Sequence, residues 1–144
     1  MPIIILLSCV LVISTTVLHY EVLRFLNNWL PSLHVPDRAK LVVVILAAFI
    51  AHVAEMAMYG ATIYALVIWA NVGSLQGGPE FSLMACMYFS AETYTSLGFG
   101  DLTPVGPIRM LAALEALNGL LLIGWSASFT YISMERFWRD APLR

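Results

Sequence analysis

Three long stretches of the chain consist almost entirely of apolar residues. Residues 3–20 come before the first charged residue, residues 41–70 contain one charge, Glu55, and the last stretch has none between Glu115 and Glu135. A helix needs about 20 apolar residues to cross the bilayer core. The pattern therefore predicts three membrane-spanning helices, at residues 1–20, 41–70 and 108–137.

A fourth apolar segment, residues 81–94, is too short to cross a membrane and is typical of a re-entrant helix. It follows a glycine-rich loop at residues 71–80. Residues 21–40 are more polar and form a predicted linker that is partly amphipathic. Its first part, residues 20–30, allows the first helix to continue at the membrane surface until Pro31 ends it.

Basic residues indicate the orientation of the chain, because Lys and Arg concentrate on the cytoplasmic side. Three crossings and one re-entrant segment place both basic regions in the cytoplasm. The N-terminus and residues 71–107 then face outward, while residues 139–144 form a cytoplasmic tail, in a bacterial-type plasma membrane. The basic regions contain Arg24, Arg38 and Lys40, and Arg136, Arg139 and Arg144.

Composition supports an all-α integral membrane protein. Only 11% of the residues are charged, against about 25% in soluble domains, and the mean hydropathy is +0.84. The net charge of -2 offers no basic patch for nucleic acid. No nucleophile–base pair, phosphate-binding loop or zinc-type Cys/His spacing is evident. We therefore expect neither an enzyme nor a protein with a bound cofactor.

Residues 95–101 carry the most informative motif, Thr95-Ser96-Leu97-Gly98-Phe99-Gly100-Asp101. It resembles the potassium-channel signature Thr-Val-Gly-Tyr-Gly-Asp with its preceding Thr. The order of helix, re-entrant pore helix, filter and helix over residues 41–138 resembles the potassium-channel pore module, here with one extra N-terminal crossing. The resemblance implies a homotetramer that conducts potassium passively. The permeant ions would bind the carbonyls of Ser96, Leu97, Gly98 and Phe99, with the Ser96 hydroxyl completing the innermost site.

The residue types of this motif suit ion coordination. Backbone carbonyls replace the hydration shell of potassium when successive residues all point them inward. That arrangement requires alternating backbone handedness, which Gly98 and Gly100 tolerate. Ser96, Leu97 and Phe99 depart from the signature, so two alternatives stay open: a non-selective cation channel with a relaxed filter, and a non-conducting membrane scaffold.

Glu92 and Asp101 flank the filter. The resemblance implies that such a pair shares a proton or a water behind the filter, because two close carboxylates do not both ionise readily. The alternative is that Glu92 supports the filter by bonding its local backbone.

Two helix faces carry buried polar residues. His52, Glu55 and Tyr59 lie at i, i+3 and i+7 of the second crossing, and Glu115 and Asn118 at i and i+3 of the last. Ionisable side chains at membrane depth face protein or water. They predict either a pH-sensitive contact behind the filter or a neutral structural cluster. A metal site at His52 is disfavoured because no second His lies on its face.

In the last helix, five residues spaced by three and four positions lie on one face, and this spacing predicts that they line a cavity and form an apolar gate. Gly119 and Gly124 allow either a hinge or close helix packing. The role of the first crossing stays open between bracing the pore and contacting an accessory partner that the sequence does not identify. The stripe consists of Asn118, Leu121, Trp125, Ser128 and Ile132, and its apolar rings would lie at Trp125 and Ile132.

Overall fold

The computed structural model of the protein describes residues 2–78 and 80–139. The predicted tail, residues 139–144, lies outside the described residues except for Arg139. Four α-helices and one two-stranded antiparallel sheet make up the described part of the chain. They are α1 (Pro2–Trp29), α2 (Asp37–Ile68), β1 (Ser74–Gln76), α3 (Leu83–Tyr94), β2 (Thr103–Val105) and α4 (Ile108–Arg139).

Three of the helices are long and apolar enough to cross a membrane. They are α1, α2 and α4, and α3, with 12 residues, is too short to do so. Ser82 caps the N-terminus of α3, where its side chain accepts a hydrogen bond of 3.1 Å from the amide of Ala85. The predicted fold class, an all-α membrane protein with three spanning helices and a short additional helix, is confirmed.

The first helix continues past residue 20 to Trp29, a continuation toward Pro31 that the sequence analysis allowed. A single 3-10 turn, Leu30–Ser32, follows it and contains Pro31. The next helix, α2, begins at Asp37, directly after Pro36. Proline tolerates the first turn of a helix but not its interior, so the two prolines limit the linker to a few residues.

The small sheet is an element that the sequence pattern did not predict. Its strands lie on either side of α3 and the filter, and Leu75 is paired with Pro104. Gly77 follows β1 with a φ of 109°, and a Cβ there would lie 1.9 Å from the carbonyl oxygen of Asp101. Glycine is therefore required where the strand meets the end of the filter.

The buried core lies where the four helices meet. Tyr59 and Ile63 of α2, Cys86 and Tyr94 of α3 and Leu111 of α4 are almost fully buried. α1 packs against both α2 and α4, and its Ile4 and Leu11 belong to the same core cluster. The first crossing, α1, therefore packs into the same core as the helices that flank the filter segment.

Candidate functional site

The backbone of the 95–101 segment alternates in handedness. Ser96, Gly98 and Gly100 have positive φ values of 58°, 53° and 80°, whereas Leu97 and Phe99 between them do not. The two glycines were predicted to adopt this conformation. Ser96 was not, because few residues other than glycine adopt positive φ.

Two amides of the filter point back toward the C-terminal end of α3. The Gly98 amide donates a hydrogen bond of 3.1 Å to the carbonyl of Glu92, and the Phe99 amide donates one of 3.2 Å to Glu92 Oε2. In a trans peptide the preceding carbonyl points the opposite way. The carbonyls of Leu97 and Gly98 therefore point away from α3.

The carbonyl at the start of the filter, that of Thr95, has the same orientation. The Ser96 amide donates a hydrogen bond of 3.0 Å to the carbonyl of Thr93, so the Thr95 carbonyl points away from α3 as well. Three carbonyls of the segment are thus directed away from the helix that supports it. This orientation is the one that backbone coordination of a cation requires.

Glu92 is 4% exposed although it carries a carboxyl group. Burial and then the charge of Asp101 raise the pKa of Glu92 above its ordinary value, while the hydrogen bond from the Phe99 amide lowers it. Asp101 itself is exposed and accepts a hydrogen bond of 3.3 Å from the Tyr88 hydroxyl. Glu92 therefore both bonds the filter backbone and senses the second carboxylate.

Behind α3, the carboxylate of Glu55 is the centre of a buried network. Its Oε1 lies 2.8 Å from His19 Nδ1 and its Oε2 lies 3.1 Å from His52 Nδ1. The Tyr94 hydroxyl donates a hydrogen bond to Oε2. On the far side of the two rings, Ser126 Oγ lies 3.1 Å from His19 Nε2 and 3.0 Å from His52 Nε2. One cluster thus joins α1, α2, α3 and α4.

The sequence analysis missed three members of this network, Tyr94, Ser126 and His19, and the ionisable imidazole among them is that of His19. It lies on α1, and the face of α2 that carries His52 gave no reason to expect it. A signal was available, because Ser8, Thr15 and His19 fall on one face of an otherwise apolar helix and all three are fully buried. That polar stripe marks the side of α1 that packs against protein.

A second set of buried hydrogen bonds connects the same four helices. Asn118 Nδ2 donates hydrogen bonds of 2.8 Å to Thr15 Oγ1 and 3.2 Å to the Tyr59 hydroxyl. Ser90 Oγ lies 2.7 Å from the Met56 carbonyl oxygen. The faces of α2 and α4 that were predicted to be in contact are therefore linked by buried hydrogen bonds.

Glu115 is fully buried in this region. Its Oε1 is hydrogen-bonded to the Ser90 hydroxyl, and its Oε2 has no hydrogen-bond partner among the described residues.

The predicted cavity stripe on α4 is divided between two faces. Asn118 is 4% exposed, and the Trp125 ring lies 5.5 Å from the His19 ring and 6.3 Å from that of Tyr20. The Asn118 side chain is directed toward α1 and α2, where it bonds to Thr15 and Tyr59. Trp125 is 38% exposed, so its place in the cavity stays a prediction. The other members, Leu121, Ser128 and Ile132, are exposed in the subunit.

The two glycines of α4 differ in their surroundings. A Cβ on Gly119 would lie 2.1 Å from the carbonyl oxygen of Tyr94, whereas a Cβ on Gly124 would meet no atom within 4 Å. Gly119 therefore permits close packing of α4 against the end of α3. The structure gives no such packing reason for Gly124.

Comparison with known proteins places this geometry in a family. The family model described as "Ion channel" matches residues 39–136, which is more than half of the chain. The chain therefore belongs to the ion channel family, and the resemblance to the potassium-channel pore module is confirmed. The matched region begins in α2 and ends in α4, so it contains the filter and excludes α1.

The chain is similar to the inward rectifier potassium channel Kirbac3.1 of Paramagnetospirillum magnetotacticum. The two are 32% identical over 75 residues, which cover 51% of this chain and 25% of the relative. The chain thus spans about a quarter of the curated relative that it matches. No solved structure matches it.

Proposed function

We propose that four copies of this chain form a passive, potassium-selective channel. The observation that supports this most is the alternation of φ across Ser96, Gly98 and Gly100. Together with the amides that bond to α3, this alternation directs successive carbonyls to one side. Carbonyl rings built in this way replace the water around a dehydrated potassium ion.

The homotetramer follows from coordination, because one chain supplies only one quarter of each ring. The apolar side chains of the filter favour the same assembly. Leu97 is 60% exposed and Phe99 is 67% exposed in the subunit. Both belong to the filter segment, not to a spanning helix whose surface would face lipid. A neighbouring copy would bury these side chains and exclude water from the outside of the filter.

Potassium is the proposed ion because the motif retains both glycines and the flanking Asp101, and because the similar protein is named as a potassium channel. Phe99 stands where the signature has Tyr, and its ring has no hydroxyl to bond to the surroundings of α3. A non-selective cation channel is therefore the alternative to test.

The cavity would be lined by the exposed face of α4. Leu121 is 65% exposed and Ile132 is 63% exposed, with Ser128 exposed between them. We assign these three side chains to the central axis. The chain would lie in a bacterial-type plasma membrane, with its N-terminus outside and its C-terminus in the cytoplasm, as the basic residues indicate.

Ion flux from purified protein in liposomes tests the proposal. We expect potassium flux, and a reversal potential in mixed potassium and sodium that follows potassium. A reversal potential that treats the two ions alike would favour the non-selective channel. Absence of flux would favour the scaffold, and a stable mass below four chains in several mild detergents would contradict the tetramer.

A further inference from the structure

His19, His52 and Glu55 bring three metal-ligating side chains together behind α3. Each offers one ligand atom, and these atoms lie within 4.8 Å of one another. We propose that the three residues bind a divalent transition-metal ion of the zinc type. Two imidazoles and one carboxylate form a donor set typical of such ions. This inference is independent of ion conduction through the filter.

The three ligand atoms lie within 4.8 Å of one another, so binding one ion requires them to move closer together. Zinc bonds of about 2.0 Å to nitrogen and oxygen hold tetrahedral ligand atoms about 3.3 Å apart. The nitrogen Nδ1 of each ring already touches one oxygen of Glu55, at 2.8 Å for His19 and 3.1 Å for His52. Both rings thus already face the carboxylate with the same nitrogen, and rotation of the side chains would place a shared ion between them.

The partners that orient metal ligands are already in place. A ligating histidine usually donates its second ring N–H to another group. Both Nε2 atoms lie near Ser126 Oγ, which has two lone pairs to accept from them. Tyr94 donates to Glu55 Oε2. An ion bound at both Nδ1 atoms would thus leave the remaining nitrogen of each ring with a partner.

Charge favours a cation at this place. Glu55 is fully buried, and both of its ion-pair contacts are with imidazoles that are charged only when protonated. A buried carboxylate that stays ionised is stabilised by a positive partner. Either a proton on one ring or a metal ion can supply it. Access is available on the His52 side, because that side chain is 13% exposed while the other two are fully buried.

Measuring the metal content of the protein distinguishes a bound metal ion from a proton on one of the rings. The full chain is purified in detergent, stripped with a chelator and dialysed against Zn²⁺, and bound zinc is measured by mass spectrometry. We expect one zinc ion per chain. The expected losses are at least tenfold in affinity for His19→Ala and for His52→Gln. His34→Ala is the matched control, since His34 is exposed in the linker, and it should bind as the wild type does.

Zinc-edge X-ray absorption of the loaded wild type gives a second measurement that does not depend on whether a variant folds. We expect two imidazole ligands and oxygen at about 2.0 Å. Substoichiometric binding, binding that persists in His19→Ala, or a spectrum without two imidazoles would overturn the proposal. The cluster would then be stabilised by a proton alone.

Discussion

The backbone amide of Phe99 donates a hydrogen bond of 3.2 Å to the Glu92 carboxylate. The carbonyl of Glu92 accepts a second filter amide, that of Gly98, at 3.1 Å. One residue at the end of α3 therefore orients two successive peptide planes of the filter. The protonation of its side chain should influence how firmly the filter is held.

The first prediction is a pH dependence of filter stability. Because the pKa of Glu92 lies above its ordinary value of 4.5, the folded protein binds this proton more tightly than the unfolded chain. The stabilising contribution is fully present below the ordinary pKa and is lost as the pH rises through the raised pKa. The thermal unfolding midpoint, and the persistence of flux in single-channel traces, should therefore fall across that window.

Glu92→Gln should remove this dependence, because an amide keeps an acceptor for the Phe99 amide and does not titrate. Glu21→Gln is the control, since Glu21 is an exposed carboxylate paired with Arg24 on α1. It should retain the wild-type profile. The same pH profile in wild type and Glu92→Gln would exclude Glu92 as the group responsible.

The second prediction concerns the glycines of the filter. At Gly98 and Gly100 a Cβ would meet no atom within 4 Å, so the subunit has space for alanine. The positive φ values are what disfavour it, by about 1–2 kcal/mol at each position, and four chains would add this strain at one axis. We expect Gly98→Ala and Gly100→Ala to lose potassium flux while retaining the helix content measured by circular dichroism.

Gly124→Ala is the matched control for these variants, because it adds the same methyl group in α4, also without a contact within 4 Å. It should fold and conduct. Wild-type flux in either filter variant would contradict the assignment of residues 95–101 as the ion path.

The third prediction distinguishes packing from bending at Gly119. Its added Cβ would lie 2.1 Å from the carbonyl oxygen of Tyr94, and overpacking of this kind costs about 1–3 kcal/mol. Gly119→Ala should therefore lower the unfolding midpoint. Gly124→Ala should raise it slightly, because alanine stabilises a helix interior by about 0.5–1 kcal/mol over glycine. Equal midpoints for the two variants would show that α4 moves away from α3 at little cost.

Hydropathy located the spanning helices because that signal is local to each segment. Residues 95–101 likewise indicated a channel through their resemblance to the potassium-channel signature, in which two glycines stand at fixed positions. His52 and Glu55 were found together because they lie three residues apart on one helix. These inferences required no knowledge of how the helices pack.

The features of the site that the sequence did not predict depend on where α1 packs against the other helices. His19 could not be paired with Glu55, 36 residues away, because hydropathy does not state which face of one helix meets another. Asn118, which bonds to Thr15 of α1, was assigned to the cavity for the same reason. A stripe spaced by three and four residues is wide enough to include both an exposed face and the edge that α1 covers.

The last prediction tests which face of α4 meets the pore. Cysteines are introduced one at a time in a background without Cys9 and Cys86, and are treated with a water-soluble thiol reagent from the cytoplasmic side. Leu121, Ser128 and Ile132 are exposed in the subunit and should react at these positions.

Asn118 and Leu122 are buried at 4% and 3% exposure, and cysteines at these positions should not react. If Ile132 forms the apolar constriction, four copies can stop ions by excluding water. Ile132→Ser should then raise resting flux, whereas Trp125→Ser should act mainly by loosening α1, which lowers the unfolding midpoint instead. Reaction at Asn118 without reaction at Ile132 would mean that α4 is rotated in the assembled channel and that the gate lies elsewhere.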